Sequence, residues 1–305
     1  MNKYQIACVI VTYNRKNLLK NCLDAVASQT FKPHTVYITD NASTDGTLES
    51  VKEWGYYECE RDEIRYKYVL NTKNEGGAGG FYLGMKTAYE EGIYDGLWVM
   101  DDDGVPSTTC LVELQQYLSK YHFISPAVLS IDNKQECAFF SCDYNSLKSK
   151  RNYGIIENVA NPFNGVLFSR TLIANIGYPK REMFIWGDEV NYQQRATVAG
   201  FKPIMVTSAI HYHPKDRQKR IELFGDVHLI VDVPDWKLYC YIRNMVYNTK
   251  IGASVIRRIY RLTKLLSPYL VYYSVQGKLR LIIKATNDGL REDFTNLSMF
   301  LCHKK

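Results

Sequence analysis

Apolar and polar positions alternate in two rhythms along the first hundred residues. "IACVIVTY" is a continuous apolar, β-branched run, which predicts a fully buried strand. Leu19, Cys22, Leu23 and Val26 then recur at helical spacing, with Asn14 as the expected N-cap. "HTVYITDNASTDGT" predicts a second strand ending in a polar loop, where Asp45 or Thr47 starts another helix. "IRYKYVLN" is a third strand, followed by the glycine-rich "NEGGAGGF" and a helical run to about Glu91. "GLWVM" is a fourth strand and stops at three consecutive aspartates. Strand and helix in this order predict an α/β fold: a mostly parallel, Rossmann-like sheet with helices on both faces. In open sheets of this kind ligands bind beyond the carboxyl ends of the strands, where the polar clusters fall.

Further along, "LVELQQYL" reads as a short amphipathic helix, and residues from about Phe123 to Arg170 look less regular. A helix is expected from Phe184 through Ala199, ended by Gly200, and "KPIMVTSAI" is a further strand. From Ile251 the pattern changes. Val255, Ile259, Leu262 and Leu266 share one helical face, and Arg257, Arg258, Arg261 and Lys264 lie opposite. That is a basic amphipathic helix, which Pro268 is expected to break. The expected division is therefore 1–230 for the α/β domain and 231–305 for a helical, membrane-associating or assembly region.

Composition sharpens this reading in three places. Apolar residues make up 46% of the 305, which predicts a packed core and excludes disorder. The net charge is +6, yet the chain from Arg243 onward holds twelve Lys/Arg against three Asp/Glu, so the remainder is slightly acidic. A basic tail of this kind meets an anionic partner. The eight cysteines form no C-x-x-C pair, and several lie in apolar runs, so they are expected to be reduced, buried thiols without zinc. No signal-peptide pattern opens the chain and no apolar run reaches transmembrane length.

Four clusters carry candidate chemistry. Asp101 and Asp103, at i and i+2 in "VMDDDGVP", offer hard oxygen ligands suited to Mg²⁺ or Mn²⁺ and substrate phosphates; a solvated acidic turn is the plain alternative. "NEGGAGGF" offers backbone amides to a phosphate, or is merely a flexible turn. Asp188 and Glu189 stand together at a helix start, where one can serve as a general base or both can merely face the helix dipole. His211 and His213 end a strand on one face, and one can ligate a metal.

Together "VIVTYNR", "TDNASTDGT", "NEGGAGGF", "MDDDG", "FIWGDEVNYQQRA", His213 and "DWKLYCYIRN" resemble the inverting, nucleotide-sugar-dependent enzymes of glycosyltransferase family 2, which have the GT-A fold. The glycine-rich segment, the acidic pair and "DW…Y…RN" look most like bacterial galactofuranosyltransferases, with rhamnosyltransferases also similar. The resemblance implies that Thr12, Tyr13 and Arg15 hold uracil, Asp40 contacts the nucleoside, and Asn74 stands beside the donor. It implies that Asp101, Asp102 and Asp103 meet ribose and diphosphate, with Asp101, Asp103 and His213 as ligands of Mn²⁺ or Mg²⁺. The second acid of the pair is the family's base. Register gives Glu189, whereas residue type gives Asp188, because the family more often has Asp there. Trp186 either stacks on an acceptor sugar or packs the helix start.

The expected activity is transfer of galactofuranose, or of another hexose such as rhamnose, to a hydroxyl of a lipid-linked glycan in bacterial cell-surface polysaccharide synthesis. The expected partners are a UDP-sugar donor, that acceptor and an anionic membrane surface at the inner face of the cell membrane. A non-catalytic nucleotide-sugar-binding protein is disfavoured by the intact acidic motifs. Nucleic-acid binding is disfavoured because the basic residues sit opposite an apolar helix face. A homo-oligomer is left open.

Overall fold

The sheet is built outward from a strand that is buried along its whole length, as its unbroken apolar run requires: β1, Ile6–Thr12. The computed structural model describes residues 4–139, 142–215, 218–222 and 228–301. The chain divides into two units, Met1–Arg181 with Ala196–Asp216, and Glu182–Arg195 with Arg217–Lys305.

In the first unit β1 is followed by α1 (Lys16–Ala27), β2 (Thr35–Asp40), α2 (Thr47–Glu53), β3 (Cys59–Arg61), β4 (Ile64–Leu70), α3 (Gly76–Glu90) and β5 (Gly96–Asp101). Then come β6 (Val105–Pro106), α4 (Cys110–Gln115), β7 (Phe123–Ser130), α5 (Tyr144–Ser149), β8 (Ile155–Glu157), β9 (Asn164–Ser169) and α6 (Arg170–Ile176). After α7 (Asp188–Val198), β10 (Ile204–His213) returns to the sheet. Its strand order is β3-β4-β2-β1-β5-β9-β7-β10-β6, with β8 also on β10. Strands β4, β2, β1 and β5 are parallel, as the alternation predicts. The other half is mixed, because β9 runs antiparallel to both β5 and β7.

Several local expectations need correction. The stretch from Phe123 is regular: β7 is buried at every position and occupies the sheet interior. Its one proline, Pro126, and its two serines hide a strand that periodicity alone does not reveal. Asn14 does not cap α1. It has φ +52°, and its side chain accepts from the amide of Thr44 at 2.7 Å, joining two loops. The helix expected from Phe184 starts at Asp188, because Phe184, Trp186 and Gly187 all have positive φ. Gly200, at φ +90°, lies just past its end, as expected.

The glycine-rich segment is not a loop before α3 but its first turns. A Cβ at Gly80 would come within 2.4 Å of Val11 Cγ1, and one at Gly84 within 2.6 Å of Val9 Cγ1. The glycines let the helix lie directly on β1. The expected face of α1 (Leu19, Cys22, Leu23 and Val26) is buried.

The second unit holds the ribbon β11 (Lys219–Glu222) and β12 (His228–Val231), and helices α8 (Asp235–Asn248), α9 (Val255–Val275), α10 (Leu279–Arg291) and α11 (Ser298–Leu301). Leu238, Ile242 and Val246 of α8 pack with Ile282 and Ala285 of α10 and Tyr269 and Tyr273 of α9. Gly289 brings α10 against the Arg243 carbonyl, 2.5 Å from where a Cβ would sit. Pro268 does not break α9, a helix of 21 residues that runs through it to Val275. The lost hydrogen bond is tolerated beside the packed Tyr269 and Tyr273 rings. The expected apolar stripe of α9 is split: Leu262 and Leu266 pack on the core, whereas Val255 and Ile259 are exposed. Among the described residues no helix is long and apolar enough to cross a membrane. The seven described cysteines are free thiols, and Cys302 lies outside the described residues.

Candidate active site

In the first unit, strand register assembles the site before any side chain is considered. Thr12 pairs with Asp40 across β1 and β2, and Val11 pairs with Asp101 across β1 and β5. The carboxyl ends of these three strands therefore converge, where an open α/β sheet takes its ligand. His213 arrives from the end of β10, whose Tyr212 pairs with Val105 just beyond the aspartates.

The three aspartates have different surroundings. Asp102 is fully buried, and Thr12 Oγ1 donates to its Oδ2 at 2.7 Å. Asp103 Oδ2 accepts from Arg15 Nη1 at 2.7 Å, and its Oδ1 lies 3.1 Å from His213 Nε2. That last contact is an ion pair without hydrogen-bond alignment, since Oδ1 makes no hydrogen bond. No described group hydrogen-bonds the Asp101 carboxylate. Arg15 also stands 3.3 Å from Asp102 Oδ1. The chain thus supplies one guanidinium of its own to the acidic turn, at a residue expected to hold the base.

Electrostatics show how strongly the turn resists three full negative charges. Burial pushes the Asp101 carboxyl up to about 8, and repulsion from Asp103 and Asp102 adds to this. Burial likewise raises Asp102 to about 6 against the opposing pull of Arg15 and Thr12. At Asp103 burial acts upward, but His213 and Arg15 outweigh it and hold the carboxyl below its ordinary value. Burial lowers His213, but Asp103, with the Pro214 carbonyl and Asp101, outweighs it and raises the imidazole.

These residues fit a divalent cation. Asp102 Oδ1 and Asp103 Oδ1 are buried oxygens without a hydrogen bond. His213 Nδ1 lies 2.7 Å from the Pro214 carbonyl oxygen, a contact that places the proton on Nδ1 and turns Nε2 toward Asp103. Two carboxylates and one imidazole form a hard, mixed set suited to Mn²⁺ or Mg²⁺. Among the described residues no group of three or more His, Cys, Asp or Glu side chains is arranged to hold a metal ion by itself. An open set suits an ion that completes its shell with phosphate oxygens.

The remaining donor-side candidates gather round this turn. Asp40 is buried; its Oδ1 accepts from the Ser43 amide at 2.8 Å, and Tyr68 donates to its Oδ2. Asn74 Oδ1 accepts from the Gly76 amide at 2.8 Å and from Asn41, so it anchors the start of α3. Tyr13 is exposed beside Thr12. His211, grouped with His213 in sequence, is fully buried with neither ring nitrogen hydrogen-bonded, and burial lowers it to about 3. Its ring fills the space that a Cβ at Gly104 or Gly165 would need. It supports the acidic turn as a neutral packing group. Sequence reasoning missed both glycines, because the close approach of the His211 ring leaves no local signal; Gly165 also has a positive φ of +73°.

In the second unit, Asp188 and Glu189 open α7. Asp188 is buried, and Glu189 is half-buried, its Oε2 accepting from the Gly187 amide at 3.0 Å. The segment before them is held by α8. Arg243 donates to the Met183 carbonyl at 2.9 Å, and Asn248 to that of Gly187 at 2.8 Å. The half-buried Trp186 ring meets Tyr241 edge-on, with Lys237 Nζ 5.4 Å from its centroid.

Comparison with known proteins agrees with this geometry. Residues 7–158 match the family model described as glycosyl transferase family 2. Over 263 residues the chain is 30% identical to galactofuranosyltransferase GlfT1 of Mycolicibacterium smegmatis, covering 81% of this chain and 84% of that protein. Among solved structures, mannosyltransferase PcManGT from Pyrobaculum calidifontis, in complex with GDP-Man and Mn²⁺, has a TM-score of 0.57 at 15% identity, covering all of this chain and 89% of that one. S. aureus TarS 1-349 in complex with UDP has a TM-score of 0.56 at 13% identity, covering 96% and 89%. The fold is thus GT-A, and the chain belongs to glycosyltransferase family 2, as a galactofuranosyltransferase-like enzyme.

Proposed function

We propose that the enzyme is an inverting, metal-dependent transferase that moves galactofuranose from UDP-galactofuranose to a hydroxyl of a lipid-linked glycan in cell-surface polysaccharide synthesis. The observation that carries this reading is the acidic turn: Asp102 and Asp103 each leave a buried carboxylate oxygen without a hydrogen bond at the mouth of the sheet, next to Asp101 and with His213 Nε2 3.1 Å from Asp103. The galactofuranosyl donor is supported by the relative's name, and the UDP and metal by the neighbours' bound ligands.

Asp101, Asp103 and His213 would hold Mn²⁺ or Mg²⁺, which when bound supplies positive charge to the leaving diphosphate. Thr12, Tyr13, Arg15, Asp40, Asn74 and Asp102 orient the nucleotide-sugar. The acceptor oxygen bonds to the anomeric carbon as the bond from that carbon to the phosphate oxygen breaks, and the electron pair leaves with UDP. The hydroxyl proton passes to the Glu189 carboxylate, which is less buried than Asp188. One displacement inverts the anomeric centre. Trp186 offers a flat apolar surface to the acceptor sugar. In this reading residues 1–230 carry the donor chemistry, and 231–305 seat the enzyme peripherally on the inner membrane surface.

A panel of UDP- and dTDP-sugars, with free nucleotide as readout, tests the proposal. UDP release from UDP-galactofuranose, abolished by EDTA and restored by Mn²⁺, is expected. Release from dTDP-rhamnose alone would instead make the enzyme a rhamnosyltransferase, and full activity in EDTA would remove the metal.

A further inference from the structure

The C-terminal helices contain a cavity of about 350 Å³ that the transfer chemistry does not use. Arg261 and Lys264 of α9 line it together with Tyr260, Tyr269, Tyr241 and Gln194. None of its lining residues is acidic. Arg261 is fixed in place: its Nη1 donates to the Ile251 carbonyl at 2.9 Å and lies 3.3 Å from that of Thr249. Lys264 is exposed, and among the described residues it forms no ion pair. Gln194 Oε1 is buried and accepts no hydrogen bond. The cavity therefore offers two positive charges and one acceptor. Its aromatic walls include Tyr241 and Tyr269, with ring centroids 5.9 Å apart. An anion that also carries a hydroxyl satisfies all of these at once.

The surface next to the cavity indicates what bears that anion. Val255, Ile256, Ile259 and Tyr260 lie at i, i+1, i+4 and i+5, on one side of α9. They are between 58% and 82% exposed, and Tyr260 also lines the cavity. Val271 and Val275 extend the exposed apolar surface along the helix at 71% and 89%. Exposed apolar side chains that flank a cationic recess on a single helix match a lipid interface, with its acyl and headgroup layers. A soluble phosphate ester would need the recess and not the apolar rim.

We propose that this cavity is a headgroup site for a membrane lipid with a phosphodiester and free hydroxyls, of the phosphatidylglycerol type. The lipid phosphate pairs with Arg261 and Lys264, a headgroup hydroxyl donates to Gln194, and the exposed rim enters the acyl boundary. This rests on the membrane-seated reading above and gives that seating a specific ligand.

Flotation of the full chain with vesicles tests the proposal, using phosphatidylcholine alone or doped to equal charge with phosphatidylglycerol or phosphatidylserine. Preference for phosphatidylglycerol over phosphatidylserine is expected, because diffuse attraction treats the two alike. Lys264→Gln should weaken phosphatidylglycerol binding about fivefold or more, the effect of one interfacial charge. Ile256→Glu should weaken binding to every vesicle. Both positions are exposed, and unchanged thermal midpoints verify folding. Equal binding to the two anionic vesicles, with Lys264→Gln indistinguishable from wild type, overturns the headgroup site. Binding of soluble glycerol phosphate without any vesicle binding also overturns it, in favour of a free phosphate ester. Wild-type UDP release without vesicles reads the transfer chemistry separately, so failure of either reading is recognised by itself.

Discussion

The side-chain amide of Asn244 donates to the main-chain carbonyl of Trp186 at 2.6 Å, in the middle of a segment with unfavourable backbone. Phe184 and Trp186 sit at φ +68° and +59°, where bulky residues cost on the order of 1–3 kcal/mol each. The same Nδ2 also reaches the carbonyls of Met183 and Ile185 at 2.9 and 3.0 Å. Asn244 thus holds the turn that delivers Asp188 and Glu189 to the start of α7.

Replacing Asn244 with Ala should free that turn. Unsatisfied carbonyls cost about 1–3 kcal/mol each when buried, so stability falls. Loss of position at the acids should lower kcat on the order of 10²-fold. Donor KM should stay close to wild type. A variant with normal kcat and only a lower melting temperature would reduce Asn244 to a structural role.

Glu189→Gln keeps the shape of the side chain and removes its basicity. Transfer is expected to slow by about 10²- to 10⁴-fold, with UDP affinity retained. Asp188→Asn should affect stability more than turnover, because Asp188 is the buried member. The reverse pattern in steady-state kinetics assigns the base to Asp188.

Gly84 offers a test of the helix–sheet contact under the site. A Cβ there would lie 2.4 Å from Thr39 Oγ1 and 2.6 Å from Val9 Cγ1. Gly84→Ala should destabilise by about 1–3 kcal/mol through overpacking, read by denaturant unfolding. A neutral substitution would show that α3 can lift from β1 freely.

The sequence announced those strands whose apolar runs are unbroken, and with them the position of the aspartates at a strand end. The face of α1 was equally legible, because one buried stripe fixes a helix. What stayed hidden depends on tertiary neighbours. The glycines of "NEGGAGGF" suggest a loop by propensity, yet α3 needs them to approach Val9 and Val11. Pro268 suggests a break, yet packing of Tyr269 and Tyr273 carries α9 past it. Arg15 gave no hint that it would lie on Asp103, since strand register alone brings residues 88 positions apart together.

That pairing of Arg15 with the aspartates leads to the last prediction, on pH and metal. In the metal-free chain, burial raises Asp101 to about 8 and Asp102 to about 6, both above the ordinary carboxyl value. A carboxyl raised on folding holds its proton more tightly in the native state, so it contributes stability at low pH that is lost as pH climbs toward the folded value. His213, also raised, acts in the same direction. Asp103 is lowered and opposes them, adding stability above its unfolded value that is lost only in acid. Between about pH 6 and pH 8 Asp103 is already ionised, so Asp101 and His213 set the slope, and the metal-free enzyme should melt at a lower temperature at pH 8. A bound cation replaces those protons, so Mn²⁺ should raise the melting temperature more at pH 8 than at pH 6. Arg15→Gln removes the turn's own positive charge and should enlarge both the loss in EDTA and the recovery with Mn²⁺. An equal Mn²⁺ increment at the two pH values, in wild type and variant alike, would show that the ion binds away from this turn.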